Sequence, residues 1–351
     1  MQRMVLALIP LALSAVYFFG WRTLSVLAVV FAAGIFTEYL TSRQRGQPVS
    51  TACLVTCALY GLSLPPTMPY WMAIVGIVVG ILFGKEVFGG FGRNFANPAI
   101  VGRTFVYICF PVPVTSSFVP TFTGFPGGFA HWSFTQLERL PAHLADAGGG
   151  VVEAVSQATP LYVGKFLGPA VAERAFSLGD LFLGRISGLF EYEGAQRILS
   201  GGSMGEGSAL LIILAAIFLL ATKTANWRLM LSPFLGVVFA TVLLRHLLGL
   251  NDWAPGAPDV PPLLHTLFGG ATLYVIAFMV TDPVSAPKKR LAQYVYGFLI
   301  GFLIVFLRWR GVFVAAASFA LLLGNLLGPL LDLGANWWQQ RRKAAAQSGA
   351  E

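Results

Sequence analysis

The chain has few charged residues and few of the residues that bind metals. Only 11% of its 351 residues are charged, and it contains three cysteines and four histidines. The cysteines (Cys53, Cys57 and Cys109) lie in apolar runs without clustered histidines, so the sequence offers no complete metal or iron–sulfur site. We interpret Cys53 and Cys57, which share a helix face, as small buried hydrophobes, although two thiols of a facing subunit could complete a cluster with them.

Most of the residues are apolar. They make up 56% of the chain, and the mean hydropathy is +0.73, which is too apolar for a soluble domain of this length and indicates a polytopic membrane protein. The formal net charge is +8, but the basic residues fall mostly in short loops between apolar runs, where charge sets topology. We therefore exclude nucleic acid as a partner and expect membrane lipid around the chain.

Ten apolar runs are long enough to cross a hydrocarbon core of ~30 Å. They form two blocks of five, near residues 4–19, 22–39, 51–64, 70–84 and 98–112, and near residues 208–222, 229–249, 263–281, 292–307 and 312–331. Most loop charges fall on one side of this arrangement, which places both termini in the cytoplasm. A minority lies on or near the opposite face, namely Arg22, Arg245, Arg308 and Arg310.

The predicted fold is an all-α membrane protein of about ten transmembrane helices. Because five crossings is an odd number, two such blocks would be inverted repeats, with sites at their interface. We divide the chain into a first repeat (1–112), a long extracytoplasmic loop segment (113–206), a second repeat (207–333) and a cytoplasmic tail (334–351). Polar interruptions ahead of the fifth run and between the eighth and ninth runs support the repeat.

The polar stretch between the fourth and fifth runs is the first candidate site. It reads GKEVFGGFGRNFANPAIVGR over residues 84–103 and sets ionisable side chains between apolar runs, where a charge costs at least ~2.5 kcal/mol at mid-depth. Its glycines allow the backbone to leave regular helix, which is tolerated at membrane depth where the chain lines a cavity. Gly76, Gly80 and Gly84 recur every four residues and predict close helix packing.

Three acidic residues within or beside the runs are candidates for an ion pathway, because a dehydrated cation or a transferred proton needs carboxylates near backbone carbonyls. They are Glu86, Asp282 and Asp332. Each has a structural alternative. Glu86 beside Lys85 could be an interfacial charge. Asp282 could start a turn, and Asp332 could simply end the last helix.

Four motifs, taken in order, resemble those of a known family. GKEVFGGFGRNFANPAIVGR (84–103), GEGSALLIILAAIFLL (205–220), FMVTDPVSAP (278–287) and GNLLGPLLD (324–332) are similar to those of NqrB, a subunit of the sodium-pumping NADH:quinone oxidoreductase (Nqr), and of its relative RnfD, a subunit of the Rnf complex. The resemblance covers nearly the whole chain. It implies ten helices in two inverted five-helix repeats, a fold distantly similar to urea transporters, in a bacterial inner membrane.

Members of this family carry FMN covalently, through a phosphoester to a threonine in an Asp-x-x-Ser/Thr-Gly-Ala-Thr motif of the long extracytoplasmic loop. The matching stretch here is Glu153-Ala-Val-Ser156-Gln157-Ala158-Thr159. The hydroxyl of Thr159 must attack a phosphoanhydride held by a separate flavin transferase, so it needs an accessible, flexible peptide with small neighbours, which Ser156 and Ala158 supply. Glu153 stands for the family's aspartate, and Gln157 for its glycine, which adds bulk beside the acceptor. The alternative is an ordinary polar loop.

A second, non-covalent ligand is implied by the same resemblance, because family members have such sites. The glycine-rich stretch could frame riboflavin, another flavin or a quinone, since flexible glycine backbone and amide donors suit a planar ring with carbonyl acceptors. The residues that we assign to this site are Gly84, Lys85, Gly89, Gly90, Arg93 and Asn94.

The resemblance implies an integral subunit of a flavin-based electron-transfer pump. Such a subunit relays electrons toward quinone, or along a ferredoxin and NAD chain, and couples them to movement of Na⁺ or H⁺. Flavoprotein, iron–sulfur and further membrane subunits are its expected partners, because the sequence contains neither soluble redox domain. One rival is a solute channel or transporter on a urea-transporter-like scaffold without redox chemistry. Another is a shortened subunit of a quinone-independent extracytoplasmic flavin relay.

Overall fold

The computed structural model of the chain describes residues 1–133, 159–167, 169–192, 195–248, 260–311 and 315–348. These residues are mostly helical, in agreement with the predicted fold class. Six helical segments are long and apolar enough to cross a membrane: Gln2–Phe19, Arg22–Gln44, Tyr70–Phe88, Trp227–Leu247, Arg290–Arg310 and Ala316–Lys343. The chain is therefore a multi-pass membrane protein.

The first block contains five helices where the sequence predicts five apolar runs. They are α1 (Gln2–Phe19), α2 (Arg22–Gln44), α3 (Thr51–Leu62), α4 (Tyr70–Gly84) and α5 (Pro98–Cys109). A 3₁₀ turn at Glu86–Phe88 and further turns separate α4 from α5, which confirms the predicted interruption. Helix α5 begins where the Asn97 side chain accepts a hydrogen bond from the Ala99 amide. Pro98 is its first residue, a position where the backbone N–H has no partner within the helix, so its absence in proline breaks no hydrogen bond.

The middle segment forms short elements that pack together. They are α6 (Pro111–Ser116), a 3₁₀ turn (Gly127–Ala130), α7 (Pro160–Tyr162) with a π turn (Val163–Leu167), α8 (Pro169–Ala175), α9 (Leu178–Leu183), β1 (Leu189–Tyr192) and β2 (Ala195–Ile198). The two strands pair antiparallel, with Leu189 opposite Ile198, and this hairpin was missed by the all-α prediction. The backbone amide of Phe122 donates to the carbonyl of Phe18 at 2.8 Å, so part of this segment is tied to the end of α1.

The second block holds the remaining helices. They are α10 (Ala209–Ala221), α11 (Trp227–Val242) with a π turn (Leu243–Leu247), α12 (Leu263–Phe268), α13 (Thr272–Tyr274) with a π turn (Val275–Met279), α14 (Arg290–Arg310) and α15 (Ala316–Ser348). The eighth predicted run, 263–281, is thus broken rather than continuous, because the chain turns at Gly269 and at Gly270, whose φ is +66°. Helix α15 continues through residue 334, so the predicted boundary of the tail coincides with no break in the helix.

Small residues bring the helices of each block into close contact, as the glycine spacing predicts. A methyl group on Gly80 would lie 2.5 Å from the carbonyl oxygen of Pro98, and one on Gly84 would lie 2.8 Å from the Cα of Pro98. In the second block, a methyl group on Gly236 would meet the carbonyl carbon of Phe298 at 3.0 Å. Backbone-to-backbone packing of this kind is typical of membrane helices, where van der Waals contact drives association.

The same helix pairs are packed in both blocks. The second helix contacts the fourth, and the fourth contacts the fifth, which means α2 with α4 and α4 with α5 in the first block, and α11 with α14 and α14 with α15 in the second. Cys53 and Cys57 are buried on α3, with their sulfur atoms 3.9 Å apart, which agrees with their interpretation as buried side chains.

Candidate functional site

A cavity opens where the middle segment meets α5 and the end of α3, with about 900 Å³ of empty space if the solvent in its open mouth is included. We call it the Thr159 cavity. Most of its wall is apolar. Its polar lining includes Ser63, Arg103, Thr115, Thr121, Thr159, Ser203, Glu206 and Ser318. A largely apolar space with a few convergent polar groups is the usual form of a small-molecule site.

Thr159 lies at the start of α7 and contributes to this wall. Its hydroxyl accepts a hydrogen bond from the Tyr162 amide at 3.3 Å, and Pro160 follows it as the first helical residue. The residue is 8% exposed, so the acceptor is less accessible than the sequence predicts, because it caps a helix and faces a cavity. Ser156 and Ala158, together with the rest of the predicted motif before Thr159, lie outside the described residues.

An ion pair crosses the wall of the Thr159 cavity. Arg103, on α5, donates from Nη1 to Oε1 of Glu206 at 2.9 Å and from Nη2 to Oγ of Ser203 at 3.4 Å. The side chains of Arg103 and Glu206 are 12% and 5% exposed. Both residues lie inside the motifs quoted from the sequence, but neither was assigned a role there. Their signal was available, since Arg103 is a lone charge within the fifth predicted run and Glu206 lies just before the sixth.

Two hydroxyl groups of the same wall have no partner in the part of the chain that the structure describes. Thr121 Oγ1 and Ser318 Oγ are buried and make no hydrogen bond to any described residue. Buried polar groups in native proteins are almost always paired with protein, water or ligand. These two groups therefore mark the cavity as a place where a ligand or water supplies hydrogen bonds.

Arg308, near the end of α14, lies just behind this wall and is 6% exposed. Its Nη1 donates to the carbonyl oxygen of Thr266 at 2.9 Å, whereas its Nε has no hydrogen-bond partner among the described residues. Within the same ranges, no carboxylate forms an ion pair with it. From the sequence, Arg308 was only an exception to the charge rule, and its burial was missed.

A second cavity, of about 780 Å³, lies at the opposite ends of the same helices. We call it the Lys85 cavity. Its lining includes three residues that the sequence singles out, Lys85, Asn94 and Asp282, together with apolar residues such as Phe91 and Phe278. The structure thus brings together residues from the two predicted interruptions, one in each block.

Lys85 belongs to a buried network of charges, which we call the Lys85 network. Its Nζ lies 2.6 Å from Oε2 of Glu38 and 2.9 Å from Oγ of Ser50, and 3.8 Å from Oε1 of Glu86. Arg45 pairs with the other oxygen of Glu86. Oε1 of Glu38 accepts from both the amide and the hydroxyl of Ser50, at 2.8 and 2.6 Å.

Glu86 is therefore buried in this network. Glu38 was missed altogether, although it interrupts the second apolar run of the sequence. A lone acid inside such a run is the signal that could have found it, because a charge at that depth needs a partner.

The glycines and Arg93 of the predicted second site have a different position. Gly84 packs on Pro98, while Gly89 and Gly90 have φ of +103° and +92° and form the turn after Glu86. None of these glycines belongs to the wall of the Lys85 cavity, and Arg93 is exposed. Asn94 does line the cavity, and its Nδ2 donates to the carbonyl of Ala96 at 3.2 Å.

Two of the predicted ion-pathway acids bind backbone amides. Oδ1 of Asp282 accepts from the Val284 amide at 3.0 Å, so the predicted turn is present, and the same side chain also lines the Lys85 cavity. Asp332 accepts from the amides of Lys288 and Lys289, both at 2.9 Å. It holds the start of α14 rather than ending the last helix, because α15 continues to Ser348.

Three short segments extend from one cavity to the other. Helix α3 has Ala52 at the Lys85 cavity, and Ser63, the residue that follows it, at the Thr159 cavity. Helix α5 and the broken α12–α13 segment run between the same two spaces. With 12 residues, α3 rises only about 18 Å. The fold and these spaces define a multi-pass membrane protein with a cavity at each end of its short helices.

Comparison with known proteins gives the family. The chain matches the model of the NQR2, RnfD, RnfE family over residues 1–339. It is 32% identical to NqrB, a subunit of the Na(+)-translocating NADH-quinone reductase, from Chromohalobacter salexigens, over 96% of this chain and 71% of that protein. It is 34% identical to RnfD, a subunit of the ion-translocating oxidoreductase complex, from Aeromonas hydrophila subsp. hydrophila, over 95% of this chain and 91% of that protein. The chain belongs to the NQR2, RnfD, RnfE family, which confirms the resemblance found in its motifs.

Proposed function

We propose that this chain is a membrane subunit of a redox-driven ion pump of the Nqr or Rnf type, and that it carries FMN covalently on Thr159. The observation that carries the proposal is the position of Thr159 on the wall of a cavity of about 900 Å³, beside the Arg103–Glu206 pair and the hydroxyls of Thr121 and Ser318. A flavin ring offers carbonyl and ring-nitrogen groups that suit such hydroxyls and a guanidinium. When bound, FMN would supply the redox chemistry, and the protein its position and surroundings.

The attachment step is a transfer of a phosphoryl group. The Thr159 oxygen forms a bond to the flavin-side phosphorus of a flavin dinucleotide, the anhydride P–O bond breaks, the nucleoside monophosphate leaves and the hydroxyl proton is lost. A flavin transferase is the partner required for this step. Because Thr159 caps α7 and is nearly buried, the acceptor has to reach the transferase before the middle segment closes over it.

The Lys85 cavity is the proposed site of the second ligand, a non-covalent flavin such as riboflavin or a quinone. Lys85 and Asn94 line it and can donate hydrogen bonds to ring carbonyls. Asp282 lines the same space, and Glu86 lies next to Lys85, which supports an ion pathway that begins near this cavity. Asp332 can affect that pathway only through the position of α14, because it binds the amides of Lys288 and Lys289 just before that helix.

The proposed architecture is ten crossings in two inverted five-helix repeats, similar to urea transporters. The repeated packing of the second, fourth and fifth helices in each block supports it. The proposed location is a bacterial inner membrane with cytoplasmic termini, lipid around the helices and the middle segment outside the cytoplasm, as the loop charges predict. Membrane, flavoprotein and iron–sulfur subunits are the proposed partners, and electrons pass to quinone or along a ferredoxin and NAD chain.

The solute-channel alternative gains no support from the relatives described above, whose names are those of oxidoreductase subunits. The extracytoplasmic relay remains distinguishable from a pump by the Lys85 cavity, because a relay confined to the outer face has no use for a ligand at that end of the helices.

The test of the proposed function is flavin fluorescence of the chain in a denaturing gel after co-expression with a flavin transferase. We expect a fluorescent band in the wild type that disappears in Thr159→Ala. Thr222→Ala, at a threonine outside the wall of the Thr159 cavity, should keep the band. A dark wild-type band beside a fluorescent positive control would contradict the proposal.

A further inference from the structure

The charges around the Thr159 cavity are not balanced. Arg103 is neutralised by Glu206 at 2.9 Å. Arg308 has no carboxylate partner among the described residues. Within those residues, two positive charges and one negative charge therefore share this region, and one positive charge has no carboxylate partner there. A buried charge without a partner is strongly unfavourable, so such a group normally has a counter-ion.

The guanidinium of Arg308 lies near Gly270 and Leu161, two residues of the wall of the Thr159 cavity, and itself lines a small adjoining pocket. A methyl group placed on Gly270 would lie 3.3 Å from Nη2 of Arg308 and 3.3 Å from Cδ2 of Leu161. Gly270 and Leu161 both line the Thr159 cavity, and Leu161 is the second residue after Thr159. Glycine at position 270 adds no side-chain atom of its own beside the guanidinium.

The hydrogen bonds of Arg308 leave donors for a ligand. Of the five N–H groups of a guanidinium, one binds the carbonyl of Thr266, and Nε is buried without a partner in the described ranges. A guanidinium with free donors and no carboxylate is suited to a phosphate group, which accepts several charge-assisted hydrogen bonds.

We propose that Arg308 is the counter-charge of the phosphodiester that forms when flavin is attached to Thr159. A phosphodiester carries one negative charge, which equals the single positive charge that has no partner among the described residues around the cavity. Attachment would thus complete the charge balance of the folded chain as well as add the flavin. This inference rests on the proposed function, because it requires the phosphodiester at Thr159.

The test compares the thermal unfolding of the full chain in detergent, produced with and without the flavin transferase, for the wild type and Arg308→Gln. Without flavin, Arg308→Gln should leave Tm unchanged or raise it, because it removes an uncompensated charge. With flavin attached, the same substitution should lower Tm by a few degrees, because it removes the partner of the phosphodiester. The sign of the effect therefore depends on the flavin.

Arg245→Gln is the matched control, because Arg245 also donates from Nη1 to a backbone carbonyl, that of Val260, at 2.8 Å. It should lower Tm by the same amount in both forms. If Arg308→Gln also lowers Tm equally in both forms, Arg308 is only a structural donor to Thr266 and the inference is overturned.

Two further outcomes complete the design. If Arg308→Gln does not fold, Arg308→Lys is measured instead. Because lysine keeps the positive charge, flavin attachment should raise the Tm of this variant almost as much as it raises the Tm of the wild type. A folded Arg308→Lys that loses this rise would count against the inference. Gel fluorescence reports attachment in every sample, and a dark wild type would overturn the proposed function together with the inference.

Discussion

The two groups of buried charges in this molecule differ in their balance. The Lys85 network contains two acids and two bases, and each carboxylate is paired with a base. The Thr159 cavity has two arginines beside it and, among the described residues, one glutamate. The hydroxyls differ in the same way, since Ser50 is bonded on both sides and Ser318 has no partner in those residues. Within the described residues, the charges of the Lys85 network balance one another, whereas those around the Thr159 cavity do not, which supports a negatively charged ligand there.

The largest effect is expected from breaking the balanced network. Lys85→Met would leave Glu38 and Glu86 with Arg45 as the one base that pairs with them in the described part of the chain, at a cost of about 3–5 kcal/mol in the free energy of unfolding. Denaturation in mixed detergent micelles would measure it. Lys288→Met, whose side chain is exposed, should change little, and equal stability of the two variants would mean that the Lys85 network contributes nothing.

A smaller effect, which depends on the flavin, is expected at the unbalanced cavity. Glu206→Gln removes the acid that pairs with Arg103 and leaves two arginines uncompensated, so the flavin-free chain should lose about 1.5–3 kcal/mol of stability. With flavin attached, the loss should be smaller, because the phosphodiester supplies a negative charge. Unfolding of both forms in the same detergent gives the comparison. An equal loss in both would show that Glu206 and the flavin do not share one charge balance.

The smallest effects are expected from substitution of two serines, one in the Lys85 network and one on the wall of the Thr159 cavity. Ser50→Ala should cost about 1–3 kcal/mol, because it removes a hydroxyl that bonds both Glu38 and Lys85. Ser318→Ala in the flavin-free chain should be close to neutral, because its hydroxyl bonds to no described residue. Chemical denaturation of the two variants side by side checks this, and a Ser318→Ala that is the less stable of the pair would place an ordered partner on Ser318.

The helical fold was largely predictable from the apolar runs. Every run of the first block coincides with a helix, and both polar interruptions are turns, because hydrophobic length and glycine are local signals. The break in the eighth run was not predicted, since its residues are apolar enough to continue a helix and only the Gly269–Gly270 pair marks the turn. The β1–β2 hairpin was missed because nothing in its four-residue strands distinguishes them from a loop.

The candidate site was less predictable, because its partners are distant in sequence. Lys85 and Asp282 could be selected as polar residues in apolar surroundings, and the structure places both on one cavity. The pairing of Arg103 with Glu206, or of Lys85 with Glu38, joins residues from different parts of the chain and depends on packing that spacing alone does not encode. Arg308 was hardest to interpret, since an arginine near a predicted helix end is usually a loop charge.

The short helices have an electrical consequence. Helices α3 and α5 have 12 residues each and rise about 18 Å, whereas an ordinary hydrocarbon core is ~30 Å thick. The cavities at their ends thin the insulating layer, so a voltage across the membrane falls over a shorter distance here, and the field is steeper than in the surrounding lipid. An elementary charge that passes between the cavities crosses most of that voltage, which is worth about 2.3 kcal/mol for every 100 mV. In the proposed function, an electron that moves from one end of α3 to the other therefore crosses most of the membrane voltage before any ion has moved.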